Sequence, residues 1–173
     1  MNEINEHIRN KEWLIDSKAD KFFYYYRLAQ KCSKSDETED LVSGVLLYNQ
    51  LVEKILKETI IISIIVIKAK LWPERVSFDL DFEKATFGKL IQYYKSFAIK
   101  KYNRDIIAKY LKDILPIRNK VIHSLFDVDD INKELQDYFE KSDELIMMLN
   151  GYYNSIAENI LYDLEDFDFN NLL

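Results

Sequence analysis

The sequence predicts an all-α protein, an antiparallel bundle of four to five helices. Three observations lead there. Glycine and proline number three and two in 173 residues, too few for the turns that most β-rich folds need. Apolar residues recur at spacings of three and four over long stretches, the signature of one buried helix face. The chain is 48% hydrophobic, enough at this length to fill one core without disulfides or metals. A single domain over residues 1–173 is expected, with 163–173 as a frayed acidic tail.

The first helix is expected from near Ile8 to near Cys32, burying Ile8, Ile15, Ala19, Phe22, Phe23, Tyr26 and Ala29. The aromatic run Phe22–Tyr26 must point several ways on a helix, so some rings reach solvent or a partner, with core packing expected for most. A polar connection, Lys31–Asp40, leads to a second helix for which Thr38 or Asp36 supplies the cap. Leu41, Val45, Tyr48, Val52 and Ile55 form its apolar stripe. That helix ends near Lys70, before Pro73. The run Thr59–Ile67 reads as a fully buried helix end, with a short strand as the alternative because β-branched runs favour strands. A long connection, Leu71–Lys84, carries Trp72 and Phe78 and is expected to pack down as a loop. Thr86 caps a third helix that buries Phe87, Leu90, Ile91, Tyr94 and Phe97. A fourth starts at Asn103 and is kinked or restarted at Pro116. A last helix spans about Asp130 to Tyr162, with Ile131, Leu135, Tyr138, Ile146, Leu149, Tyr153, Ile156 and Ile160 inward.

The formal net charge is −6, unevenly spread. Residues 84–123 hold ten Lys or Arg against Asp105 and Asp113, a net of +8; residues 124–173 hold Lys133 and Lys141 against thirteen acids, a net of −11. The basic segment either offers a phosphate-binding surface or pairs with the acidic last helix. The apolar run is too short to span a bilayer, which takes about 20 residues, and the polar start is no signal peptide. Cys32 has no second cysteine to pair with, which fits a reduced cytoplasmic setting. Cys-x-x-Cys, Glu-x-x-His and Gly-rich phosphate loops are absent. Two histidines, His7 and His123, are too few for a histidine-based metal site. Asp127, Asp129 and Asp130 lack the Gly and terminal Glu of a calcium loop and read as helix caps. No metal and no cofactor is expected.

The chemistry-bearing segment is Leu115-Pro116-Ile117-Arg118-Asn119-Lys120-Val121-Ile122-His123-Ser124-Leu125-Phe126. On a helix, Leu111, Leu115, Ile122 and Leu125 form a stripe, and Arg118 falls in its middle. A guanidinium among apolar side chains needs a partner: an acid, a subunit interface or a bound phosphate. Asn119 and His123, four apart, share one flank. Arg118-Asn119-x-x-x-His123 resembles the signature of the HEPN superfamily, the higher-eukaryote and prokaryote nucleotide-binding helical domains: Arg, a polar residue, several more, then His, late in a bundle. Thr86-Phe87-Gly88-Lys89-Leu90-Ile91 also resembles a helix start in some of these proteins. Where toxins of the nucleotidyltransferase-paired type carry a Tyr two residues after the His, this chain has Leu125.

The resemblance implies a metal-independent endoribonuclease, in which a ribose 2′-hydroxyl attacks the adjacent phosphate to leave a 2′,3′-cyclic phosphate and a free 5′-hydroxyl. His123 then moves protons, Arg118 clamps the phosphate, Asn119 orients His123 or substrate, and Lys112 and Lys120 add affinity for the RNA backbone. One motif per chain, with two needed to face each other, implies a homodimer through residues 111–126. The family also implies a role as a toxin or in phage defence, with an antitoxin or defence-complex protein as partner. A non-catalytic nucleotide- or RNA-binding or protein-interaction module is the alternative.

Overall fold

The computed structural model describes residues 19–71, 74, 76–78, 80–82, 84–99, 101–123 and 131–163, with the side chains at 19, 101–103, 122, 123, 131–134 and 158–163 outside that description. Five helices and no strand occur among the described residues: α1 Ala19–Cys32, α2 Thr38–Leu71, α3 Phe87–Phe97, α4 Lys101–His123 and α5 Ile131–Asp163. The expected segment of the first helix before Ala19, the aspartates at 127, 129 and 130, and the tail beyond 163 lie outside the described residues.

The long α2 is the centre of the bundle and packs against each of the other four helices. That position explains the isoleucine run. Every residue from Thr59 to Val66 is buried, so the segment has no solvent side, and helix rather than strand is the outcome. The two hydroxyls in the run are satisfied within the helix: Thr59 Oγ1 donates to the Ile55 carbonyl and Ser63 Oγ to that of Thr59, both at 2.7 Å. Helix α1 runs antiparallel to α2, with Tyr26 beside Tyr48 and Cys32 beside Gly44. Gly44 permits the close approach, because a Cβ there would stand 3.3 Å from Cys32 Cβ and 3.2 Å from the Phe139 ring. One carboxylate oxygen of Asp143 on α5 accepts from Tyr26 Oη at 2.8 Å, Tyr48 Oη at 2.9 Å and Gln30 Nε2 at 3.2 Å, joining three helices. Burial, reinforced by this carboxylate, pushes both tyrosine hydroxyls well above their ordinary range.

Several local expectations need correction. Thr38 lies inside α2 rather than capping it; the hydrogen bonds at that start come from Ser35, whose hydroxyl accepts from the Glu37 N–H and donates to Asp40. Core packing is not the role of most of the aromatic run. Phe23, Tyr24 and Tyr25 are exposed, and only Phe22 and Tyr26 lie against the core, because α1 buries one narrow face. Helix α4 begins at Lys101, two residues before Asn103, and continues through Pro116 without a restart. The proline leaves the Lys112 carbonyl without its usual donor. The connection before α3 does pack down: Phe82 is buried and Phe78 meets Phe97 edge-on at 5.1 Å.

Candidate functional site

Thr86 caps α3 as its sequence predicts, its hydroxyl accepting from the Lys89 N–H at 3.3 Å. The cap fixes where α3 begins and so places Phe87, the first helical residue, against α4. There the buried stripe is Ile107, Leu111, Ile114 and Val121. Continuing the three-four spacing from Ile114 to Val121 requires a residue at 118. The stripe differs in membership from Leu111, Leu115, Ile122 and Leu125: Leu115 is half-buried, Ile122 and Leu125 lie outside the described side chains, and the consequence for Arg118 is the same. It occupies a core position with a charged side chain.

Arg118 is held on three sides. Its Nη2 donates to Glu53 Oε1 on α2 at 3.1 Å, and the two side chains keep 20% and 27% of their exposure. Its guanidinium carbon lies 5.2 Å from the centre of the Phe87 ring, a cation–π contact. Its Nη1 donates to Asn119 Oδ1 at 3.3 Å. The Nε is buried with no hydrogen-bond partner among the described residues. Glu53 is therefore the acid that a guanidinium in this stripe requires, and it comes from α2 rather than from the acidic last helix.

Behind this pair stands a second polar layer. Asn49, one turn before Glu53, is buried and accepts from Tyr138 Oη at 2.8 Å, while its Nδ2 is buried without a partner among the described residues. Burial pushes the Tyr138 hydroxyl well above the tyrosine range; the Arg118 charge pulls it down and Glu53 pushes it up. Glu53, Arg118, Asn49 and Tyr138 thus form one electrostatic group drawn from α2, α4 and α5. Two buried donors without acceptors, Arg118 Nε and Asn49 Nδ2, are costly features, each worth about 1–3 kcal/mol in a typical interior.

Of the other expected site residues, Asn119 is exposed beside Arg118, and Lys112 and Lys120 are exposed on α4. His123 is the last residue of α4, with its side chain outside the described set. At about 100° per residue, positions 112, 119 and 123 fall within about 40° of one another on the helix surface, so one face of α4 carries Lys112, Asn119 and His123. Lys120 lies to the side of that face. Sequence reasoning missed Glu53, Asn49, Tyr138 and Phe87 as neighbours of Arg118. The available signal was the polar pair Asn49 and Glu53, spaced i, i+4 along the edge of an apolar stripe.

Among the described residues no group of three or more His, Cys, Asp or Glu is placed to hold a metal ion. Among them, too, no helix is long and apolar enough to cross a membrane. The fold defines the class, an all-α helical bundle. No protein-family model matches the chain, and no curated protein or solved structure matches it either.

Proposed function

We propose that the protein is a metal-independent endoribonuclease of HEPN type that cleaves RNA by attack of a 2′-hydroxyl on the adjacent phosphate, acting as a toxin or phage-defence effector. One observation carries this: a guanidinium occupies a core position of α4, braced by Glu53 and Phe87 and bonded to Asn119, five residues before His123. A phosphate clamp must be rigid and partly desolvated to stabilise developing charge, and Arg118 meets both requirements. The first turn of α3 adds to the same region. The Phe87 and Gly88 N–H groups have no acceptor within their helix, so they add positive potential close to the guanidinium.

In this account His123 moves the protons, Arg118 holds the phosphate, Asn119 orients the histidine or the substrate, and Lys112 and Lys120 bind flanking phosphates. Glu53 is a positioning residue that acts through Arg118. The chain works as a homodimer through residues 111–126, which brings two His123 and two Arg118 to one phosphate, in a cytoplasmic setting alongside an antitoxin or a defence-complex protein. The test is cleavage of RNA by the wild type and its loss, by roughly a hundredfold or more, in both His123→Ala and Arg118→Ala.

The Glu53 contact itself favours a second reading. An arginine already paired with an acid and stacked on a ring serves the fold without any substrate, as in a non-catalytic nucleotide-, RNA- or protein-binding module. RNA binding without cleavage by the wild type selects that alternative.

A further inference from the structure

Helix α1 keeps three consecutive rings in solvent: Phe23 at 43%, Tyr24 at 64% and Tyr25 at 38% exposure. Single apolar residues scattered over a surface need no explanation, but a run of exposed rings does. At about 100° per residue, Phe23, Tyr24, Arg27 and Lys31 fall within about 100° of one another, on the side of α1 away from the buried Ala29. Phe23 stands edge-on to Phe22 at 5.9 Å, and Phe22 packs against the core; Tyr24 stands edge-on to Tyr25 at 5.3 Å. Such contacts restrain both outward rings.

The charges beside these rings are of one sign. Every charged side chain from Asp20 to Lys34 is exposed, and Lys21, Arg27, Lys31 and Lys34 stand against Asp20 alone, in a chain whose formal net charge is −6. Asp20 sits in the first turn of α1, where the helix dipole favours an acid. None of the four cations has an ion pair among the described residues. Asp143 of α5 bonds α1 on its packed side, through Tyr26 and Gln30. Among the described residues α1 has close backbone contact with α2 and none with α3 or α4, so this face is separate from the region around Arg118.

Rings and cations on one face are the two components of a single-strand platform. Every base has a π-face that stacks on an aromatic side chain, and backbone phosphates meet the cations. At 1.5 Å per residue Arg27 lies about 4.5 Å beyond Tyr24 along the axis and Lys31 about 6 Å beyond Arg27. A strand running along α1 therefore meets the rings first and then two cations one turn apart. The unpaired cations select a polyanion over a neutral or basic surface.

We propose that the outward face of α1 is a docking platform for single-stranded RNA, with bases stacked on Phe23 and Tyr24 and phosphates held by Arg27 and Lys31. That the strand is RNA rests on the ribonuclease function proposed above. Stacking beside cations rests on α1 alone.

The experiment measures binding of a 2′-O-methyl oligoribonucleotide, which cannot undergo 2′-hydroxyl attack, to the full chain by fluorescence anisotropy across a salt series. The same strand with abasic sites and the matching DNA strand are run in parallel, and helical circular dichroism checks that each variant folds. Tyr24→Ala should weaken binding roughly fivefold or more, the scale of one lost stacking contact, while Tyr24→Phe keeps the affinity. On the abasic strand Tyr24→Ala should have no effect. Arg27→Gln and Lys31→Gln should each lower the salt slope by about 0.7 on both strands, the share of one single-strand phosphate. Unchanged affinity in Tyr24→Ala, an equal loss on the abasic strand, or no binding of any strand by the wild type overturns the platform. Tighter binding of the DNA strand overturns RNA as its occupant. A Tyr24→Ala variant that loses self-association in light scattering and keeps its strand affinity makes the face a protein interface, and also overturns the platform. Strand binding that depends on Tyr24 and Arg27, with no cleavage by the wild type, supports the platform and overturns the nuclease. Cleavage by the wild type with unchanged binding in the α1 variants does the reverse.

Discussion

Removing Arg118 should destabilise the bundle, and Glu53 is the reason. From the sequence alone, an unpartnered charge in an apolar stripe predicts that Arg118→Ala stabilises, by relieving a desolvated guanidinium. The structure reverses that sign, because the substitution leaves the Glu53 carboxylate facing the core edge without its cation. The magnitude follows from exposure. With side chains 20% and 27% exposed, the pair sits between a surface ion pair, worth about 0–1 kcal/mol, and a fully buried one, whose disruption costs about 3–5 kcal/mol. Arg118→Met, which keeps most of the volume, should therefore cost about 2 kcal/mol, including the contact with Phe87. Glu53→Gln retains an acceptor and should cost about 1 kcal/mol. The double variant should cost less than the sum, with a coupling of about 1–2 kcal/mol. Urea unfolding followed by helical circular dichroism measures all four corners of the cycle. Coupling below about 0.5 kcal/mol, the scatter expected of independent sites, would refute the pair as the brace of Arg118.

Light scattering at micromolar concentration should give the mass of a dimer; a monomeric wild type removes the composite active site. The two glycines that lie within long helices should respond oppositely to alanine. Gly44→Ala forces a methyl to within 3.3 Å of Cys32 Cβ, which is fixed to the α1 backbone, and should destabilise by about 1 kcal/mol. Gly151→Ala meets nothing within 4 Å and should stabilise by about 0.5–1 kcal/mol, read as denaturation midpoints. Stability should fall above about pH 10, where free tyrosine ionises. Burial holds Tyr26, Tyr48, Tyr94 and Tyr138 protonated in the fold to higher pH. The unfolded chain then binds fewer protons than the native one, and the linkage slope is negative. A denaturation midpoint that stays level from pH 9 to 11 would contradict those environments.

The helices were legible because each writes its buried face locally. The stripe from Val45 to Ile55, the Thr86 cap and the inward positions Leu135, Tyr138, Ile146 and Leu149 of α5 follow from spacing alone, and all those apolar residues are buried. The anomaly at Arg118 was legible for the same reason: a cation at a core register position is a local contradiction. Its resolution was not, since Glu53 lies 65 residues away and Tyr138 meets Asn49 across 89. Helical period says which face a residue occupies but not which helix covers that face. The same limit explains Phe23, Tyr24 and Tyr25, whose aromatic character suggested burial although the narrow contact of α1 leaves them exposed. The start of α2 misled for a different reason, because Ser35, Asp36 and Thr38 all suit a cap, yet the residue before the helix is Glu37, whose carbonyl accepts from the Leu41 N–H while its own N–H donates to the Ser35 hydroxyl.

The central claim is that this bundle cuts RNA without a metal, using Arg118 and His123. The direct measurement is incubation of total RNA with the purified chain in excess chelator, followed by mapping of the cut ends. The account predicts 2′,3′-cyclic phosphate and 5′-hydroxyl ends, undiminished by chelator, unaffected by His7→Ala and reduced roughly a hundredfold or more by His123→Ala. Equal cleavage by the His123→Ala variant, or no cleavage by the wild type, would contradict it.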